Sequence, residues 1–167
     1  MKQPRNREIL LILHNIRSVH NVASIFRTAD CAGVSRIYLT GYTPTPADRF
    51  GRARRDFAKV SLGAERTVPW EAWRSALLLL AQLKKEGVKI IAVEQNPRAI
   101  DYRVVRARGN CALVFGNEVR GLSETVLRRA DTIAEIPLRG AKESLNVAVA
   151  AGIVIFNMHK NLESHSN

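Results

Sequence analysis

Short apolar runs alternate with amphipathic stretches along the 167 residues of this chain. Apolar runs of this length, bounded by polar or turn-forming residues, are typical of strands buried on both faces. They predict five strands, at residues 8–14, 36–40, 88–94, 111–115 and 132–138.

Between these runs, apolar positions recur at helical spacing. Val22, Ile25 and Phe26 lie on one face of a predicted helix at residues 20–33, which Gly33 ends. Ser123 is a plausible N-cap for a short later helix. Further helices are predicted at residues 70–86, 123–129 and 144–160.

Strands that alternate with helices predict an α/β fold, with a parallel sheet covered by helices on both faces. The length favours one domain over residues 1–167, without an appended substrate-binding domain. The polar residues 161–167 are expected to form a frayed tail.

Positive charge dominates the composition. Lys and Arg number 26 against 15 Asp and Glu, which gives a net charge of +11. An excess of this size favours a polyanionic partner, with nucleic acid ahead of an anionic membrane surface. No stretch approaches the roughly 18 apolar residues of a membrane span. The most basic predicted loop, residues 41–59, contains Arg49, Arg52, Arg54, Arg55 and Lys59.

The two cysteines, Cys31 and Cys111, lie far apart and lack the spacing of metal ligands. We expect them to be buried, reduced thiols in a cytoplasmic protein, and we expect no metal site.

Ligands of open parallel sheets bind beyond the carboxyl ends of the strands. Three polar segments follow predicted strands in this way, at residues 14–27, 115–122 and 137–146. In the first, Asn21 is a possible helix cap. Arg27 either pairs with Asp30 on the surface or presents its donors to a phosphate or ribose.

The second segment, GNEVRGL, begins at Gly116 and carries neither a dinucleotide fingerprint nor a phosphate-loop lysine. Glu118 is placed to accept hydrogen bonds from loop amides, whether the segment is a plain turn or a ligand loop. In the third segment, Ser144 is a plausible helix cap. Asn146 would then have no capping role, which favours a tertiary or ligand contact.

Together the three segments resemble the motifs of the SpoU-type RNA 2'-O-ribose methyltransferases of the SPOUT superfamily. Asn21, Arg27 and Ala29 match the first motif, Gly116-Asn-Glu118-Val-Arg-Gly121-Leu122 the second, and Ile136-Pro137 with Ser144-Leu145-Asn146-Val147 the third. The order is that of the family, and the match spans nearly the whole chain. Ala23 stands where the family has glycine.

The resemblance implies a C-terminal trefoil knot, a homodimer packed through the knot region, and transfer of a methyl group from S-adenosylmethionine to a ribose 2'-hydroxyl of tRNA or rRNA. The implied cofactor-binding residues are Val93, Gly116, Ile136, Leu138, Ser144 and Leu145. The small residues Ala148, Ala150, Ala151 and Gly152 fit a helix packed closely on another backbone, which we expect to be that of the partner.

The resemblance also implies catalytic roles. Arg27 is the central residue, Asn21 and Asn146 would orient it or the ribose, Ser144 would lie near the methyl group, and Glu118 would brace the loop. The basic residues 49–59 would track the RNA backbone, or else form a solvated loop. The alternative function is a catalytically silent RNA-binding or assembly factor on the same fold. A base-modifying relative would need an acidic general base, which is not visible.

Overall fold

The computed structural model describes residues 7–163 of the chain. Seven parallel strands form one sheet in the order β3-β2-β1-β6-β4-β7-β5. They are β1 (Ile9–His14), β2 (Arg36–Thr40), β3 (Trp70–Trp73), β4 (Lys89–Val93), β5 (Ile100–Asp101), β6 (Cys111–Phe115) and β7 (Thr132–Glu135).

Helices cover both faces of this sheet, as the sequence predicts. The alternation of side chains along β1 shows the two layers: Leu11 and Leu13 lie in one hydrophobic core, and Leu10 and Ile12 lie in the other. The helices are α1 (Val19–Ala32), α2 (Arg55–Ser61), α3 (Ala64–Thr67), α4 (Ala76–Lys85), α5 (Glu124–Leu127) and α6 (Val147–Glu163).

The first core contains residues of α1, α2, α3 and α6, and the second contains residues of α4 and α5. The α/β fold class is therefore confirmed. The trefoil knot stays a prediction.

The prediction of one helix at residues 70–86 is wrong, because this segment forms a strand followed by a helix. Trp70 pairs with Ile37 and extends the sheet as β3, and Ser75 then caps α4 by accepting a bond from the Leu78 amide. The apolar positions continue at helical spacing across this boundary. Pairing with β2 therefore overrides the local pattern.

Other bounds also differ from the prediction: β7 ends at Glu135 and not at residue 138, and α6 begins at Val147 and not at residue 144. The basic segment 41–59 is not all loop, because α2 begins at Arg55. Helix α6 continues to Glu163, into the segment predicted as a tail, and the buried Asn161 amide donates a bond to the Val105 carbonyl. Residues 164–167 lie outside the described residues.

Helix α6 packs its small residues against α1 of the same chain. Ala151 is fully buried in the hydrophobic core to which α1 also contributes. A Cβ on Gly152 would lie 3.6 Å from the methyl carbon of Thr28, a residue of α1. Ala151 and Gly152 therefore pack within the chain, and the contact of these small residues with a partner backbone stays a prediction. The face of α6 that is exposed carries larger apolar side chains, Val149, Ile153 and Phe156.

Cys111 and Cys31 have different surroundings. Burial raises the pKa of the Cys111 thiol to about 12, as expected for an inert core cysteine. Cys31 is exposed on α1, contrary to expectation. Within residues 7–163, no helix is long and apolar enough to cross a membrane, and no cluster of three or more His, Cys, Asp or Glu side chains is placed to hold a metal ion.

Truncation of a central strand residue tests this assignment of the core. Leu11→Ala should lower the free energy of unfolding by about 2–5 kcal/mol, because the Leu11 side chain is fully buried between the sheet and the helices. The matched variant Leu78→Ala removes a leucine that is 67% exposed on α4 and should cost less than about 0.5 kcal/mol. Denaturant titration measures both, and equal losses would contradict the assignment.

Candidate active site at the carboxyl edge of the sheet

The sheet order brings the predicted segments to one edge. Strands β1, β6, β4 and β7 are neighbours and run in the same direction, so the segments that follow them meet beyond their carboxyl ends. A cavity of about 310 Å³ lies at this point. The predicted cofactor residues Val93, Gly116, Ile136, Ser144 and Leu145 line it, together with Glu118. Leu138 is not among its lining residues.

A sharp turn after β6 forms one wall of the cavity. Gly116 is buried, and a Cβ at this position would lie 2.8 Å from the Gly121 carbonyl carbon and from the Leu122 side chain. Only glycine therefore allows residues 116–122 to fold back this tightly.

Glu94 fixes the far end of that turn, a role that the sequence analysis missed. One oxygen of its carboxylate accepts a bond of 2.7 Å from the Leu122 amide. The next residue, Gln95, donates through its side-chain amide to the Ile136 carbonyl at 2.8 Å. These two bonds tie the segment after β4 to the segments after β6 and β7.

Glu118 joins the turn to the start of α1. Its Oε2 accepts from the Arg17 amide at 3.0 Å, and its Oε1 accepts from the Ser18 amide at 3.0 Å and from Asn21 Nδ2 at 3.1 Å. Burial alone would raise the pKa of Glu118, but these donors together hold it below the ordinary value of 4.5. The carboxylate therefore stays charged at neutral pH.

Asn21 also forms a hydrogen bond with Asn146, in the third segment. Because Glu118 accepts, the amide nitrogen of Asn21 must face it, and the Asn21 oxygen then accepts from Asn146 Nδ2 at 3.1 Å. The Asn146 oxygen is left to accept from the Ala148 and Val149 amides at the start of α6. One carboxylate thus orients two amides and connects all three motifs.

Three capping assignments are corrected by this geometry. Asn146 is the residue that caps α6, so it combines capping with the tertiary contact that the sequence favoured. Ser144 lies before the helix, which begins at Val147, and it is exposed at the cavity. Ser18, and not Asn21, caps α1, by accepting from the Asn21 amide.

Arg27 lies away from the cavity. It is exposed on α1 and lines a groove with His20, Lys59 and Phe156. It does not pair with Asp30, whose carboxylate accepts instead from the Thr67 hydroxyl at 2.6 Å. Among the side chains of residues 7–161, no carboxylate lies within 4.0 Å of the Arg27 guanidinium. The structure therefore does not bring Arg27 to the other site residues within one chain.

The basic residues of the 49–59 segment differ in their contacts. Arg52 forms an ion pair with Asp48 at 2.8 Å and Arg54 forms one with Asp56 at 2.8 Å. The guanidinium carbons of Arg49 and Arg52 lie 4.7 Å and 5.1 Å from the centre of the exposed Phe50 ring. Arg55 and Lys59 are exposed on α2.

Comparison with known proteins adds independent information. The model of the SpoU rRNA Methylase family matches residues 8–156. A 23S rRNA (guanosine-2'-O-)-methyltransferase, RlmB, of Ralstonia nicotianae is 33% identical over 148 residues, which cover 89% of this chain and 57% of that protein. The tRNA (guanosine(18)-2'-O)-methyltransferase of Aquifex aeolicus is 28% identical, with 96% of this chain and 73% of that protein covered.

Solved structures of similar fold are also RNA-modifying enzymes. The TrmH/SpoU tRNA modifying enzyme of A. aeolicus superposes with a TM-score of 0.83 at 26% identity, covering 96% of this chain and 78% of that one. The AdoMet-bound rRNA methyltransferase of Sinorhizobium meliloti has a TM-score of 0.84 at 28% identity, covering 96% and 59%. The chain spans less than two thirds of the length of the first curated relatives that it matches.

Reversal of one amide in the chain of hydrogen bonds tests this geometry. Asn21→Asp replaces the group that donates to Glu118 by a carboxylate about 3 Å away, and should cost about 1–3 kcal/mol of unfolding free energy at neutral pH. The loss should shrink as the pH falls toward 4.5, because protonation of one carboxyl of the close pair restores a donor. Below 4.5 the wild type also loses the stability given by the depressed pKa of Glu118, which narrows the difference further.

Asn96→Asp is the matched control. The Asn96 side-chain oxygen accepts a bond from the Arg98 amide, which an aspartate accepts equally well. Thermal unfolding across a pH series compares the variants. A loss for Asn21→Asp that did not exceed the loss for Asn96→Asp, or that grew at low pH, would contradict the assigned orientation.

Proposed function

This chain belongs to the SpoU rRNA Methylase family, and we propose that it transfers a methyl group from S-adenosylmethionine to a ribose 2'-hydroxyl of tRNA or rRNA. The observation that carries the proposal is the chain of hydrogen bonds from Glu118 through Asn21 to Asn146. It joins the three motif segments around one cavity. A cytoplasmic location belongs to the same proposal, because both classes of RNA are found there.

The cavity suits the proposed cofactor. Its volume of about 310 Å³ is in the range of small-molecule sites. The apolar residues Val93, Ile136 and Leu145 line it and would pack against an adenine, while the acidic residues Glu135 and Glu143 favour a positively charged ligand. Leu138 is left out of this proposal because it does not line the cavity.

The bound cofactor would supply a methyl group on a sulfonium, which is a good leaving group. The task left to the protein is to align the ribose hydroxyl, whose oxygen would bond to the methyl carbon as the sulfur leaves with its electron pair, and to favour loss of the hydroxyl proton to solvent. A guanidinium carries hydrogen-bond donors and no acceptor, so Arg27 acts by holding the hydroxyl and stabilising the developing negative charge. Ser144, exposed at the cavity, would contact the reacting groups.

The position of Arg27 is explained if two chains form the site. The groove that contains Arg27 also contains Phe156, and Phe156 belongs to the exposed apolar face of α6 with Val149 and Ile153. These three side chains are 36–53% exposed, and apolar faces of this kind mark interfaces. A homodimer packed through this face would bring a second chain to Arg27. The trefoil knot is part of the same family-based proposal.

The basic residues 49–59 would contact RNA phosphates. Arg55 and Lys59 are exposed on α2, and Lys59 lines the Arg27 groove. RNA that reaches Arg27 would therefore pass this helix.

Removal of the Arg27 guanidinium tests the catalytic assignment. Arg27→Ala should lower the rate of methyl transfer at least a hundredfold, on the order expected for loss of one transition-state contact. Cofactor affinity, measured by calorimetry, should stay within about twofold, because Arg27 does not line the cavity. Arg108→Ala, an exposed arginine in the segment before β6, is the control and should retain wild-type rates. Wild-type turnover by Arg27→Ala would reject the assignment.

A charge on the exposed face of α6 tests the proposed dimer. Phe156→Glu should shift the protein to monomers in sedimentation, because a carboxylate cannot be buried in an apolar interface without a partner. Leu78→Glu places the same charge at an exposed leucine on α4 and should leave the mass of the assembly unchanged. A wild type that sediments as a monomer, or a Phe156→Glu variant that remains dimeric, would contradict this interface.

A further inference from the structure

A second groove lies beside the cavity, and the proposed chemistry does not use it. It has a volume of about 540 Å³ and is lined by Arg17, Tyr42, Asn117, Val119 and Arg120. The last three residues also line the cavity, so the two spaces are continuous along the turn after β6. Anything bound in the groove would lie next to the proposed site of methyl transfer.

Tyr42 is held firmly and yet remains exposed. Its backbone amide donates to the Asn15 side-chain oxygen at 3.2 Å, and its phenol oxygen accepts from Asn117 Nδ2 at 3.1 Å. The residue is nevertheless 57% exposed. An aromatic ring fixed at both ends with an open surface loses little entropy when a flat ligand stacks on it.

The backbone under Tyr42 is specified closely. Asn15 has a φ of 56° and Gly41 a φ of 66°, both in the left-handed region that asparagine and glycine tolerate best. A Cβ on Gly41 would lie only 1.9 Å from the Asn15 side-chain oxygen. The turn that presents Tyr42 therefore requires glycine at position 41.

Two arginines line the groove beside the Tyr42 ring, and their guanidinium groups are free to contact a phosphate. Arg17 and Arg120 are both exposed, and in the described part of the chain no carboxylate lies within 4.0 Å of either guanidinium. The backbone amides of both residues are fixed, Arg17 by Glu118 and Arg120 by Asn117. Their attachment points therefore stay constant while the guanidinium groups can adjust to a phosphate.

We propose that this groove is a nucleotide-binding subsite, in which Tyr42 stacks on a base of the RNA next to the methylated nucleotide while Arg17 and Arg120 contact its phosphates. An aromatic ring flanked by unpaired arginines is the arrangement that binds single-stranded nucleic acid. The proposal rests on the proposed function for the identity of the neighbouring nucleotide, and the RNA binding itself is tested separately.

Loss of the ring is the decisive change. Tyr42→Leu should weaken binding of a labelled single-stranded RNA dodecamer of mixed sequence by about 5- to 100-fold, the range for one stacked base. Tyr42→Phe keeps the ring and loses only the contact with Asn117, so its loss should be about threefold or less. Ultraviolet cross-linking of the wild type to the same RNA should attach a nucleotide to the peptide that contains Tyr42.

The charges are tested by salt dependence. Arg17→Gln and Arg120→Gln should each reduce the slope of log affinity against log salt concentration by about one, as expected for loss of one phosphate contact. Arg108→Gln removes the same charge before β6, away from the groove, and should leave the slope unchanged. Cofactor titration and thermal unfolding confirm that each variant is folded.

The outcomes separate this inference from the proposed function. RNA binding that depends on Tyr42, without methyl transfer by the wild type, would keep the subsite and reject the function. Methyl transfer by Tyr42→Leu with an unchanged KM for RNA would keep the function and overturn the subsite. Failure of the wild type to bind the RNA, or cross-links that map only outside the groove, would also overturn the subsite.

Discussion

The arrangement of the site depends on the charge of one carboxylate. Glu118 can only accept hydrogen bonds when ionised, so it fixes which atom of Asn21 faces it, and Asn21 in turn fixes Asn146. The remaining oxygen of Asn146 then caps α6. The direction of every bond in this chain follows from the first one. Burial opposes the charge of Glu118, but the donors stabilise the charged form and hold its pKa below the ordinary value.

This constraint couples parts of the chain that lie far apart in sequence. Residues 21 and 146 are separated by 125 positions and 21 and 118 by 97, yet they meet at the carboxyl edge of the sheet. Glu94 and Gln95 close the arrangement from the side of β4. The cavity walls are therefore held to one another by hydrogen bonds, and the groove around Tyr42 is joined to them through Asn117. Around these walls, Arg17, Arg27 and Arg120 are exposed, and in the described part of the chain none of them has a carboxylate partner.

Much of this could be predicted from the sequence. The strands at residues 36–40 and 111–115 were predicted with the observed bounds, because their apolar runs have clear ends. The three motif segments were placed at one edge of the sheet by topology alone. The β3 strand was missed because Trp70 joins the sheet only by pairing with β2, and local periodicity does not contain that information. Glu94 and Tyr42 were missed for a similar reason, since their contacts are tertiary and match no motif. The capping role of Asn146 depended on where α6 begins, which a pattern locates only within a few residues.

The central claim is that the site transfers a methyl group to a ribose hydroxyl and not to a base. A 2'-O-methyl group blocks alkaline cleavage of the adjoining phosphodiester, because the neighbouring hydroxyl is the nucleophile in that reaction. The purified protein should be incubated with total tRNA and rRNA and with S-adenosylmethionine labelled in the methyl group, and the RNA should then be hydrolysed in alkali. The account predicts label in alkali-resistant dinucleotides. Label confined to mononucleotides, or no transfer to either RNA, would contradict it.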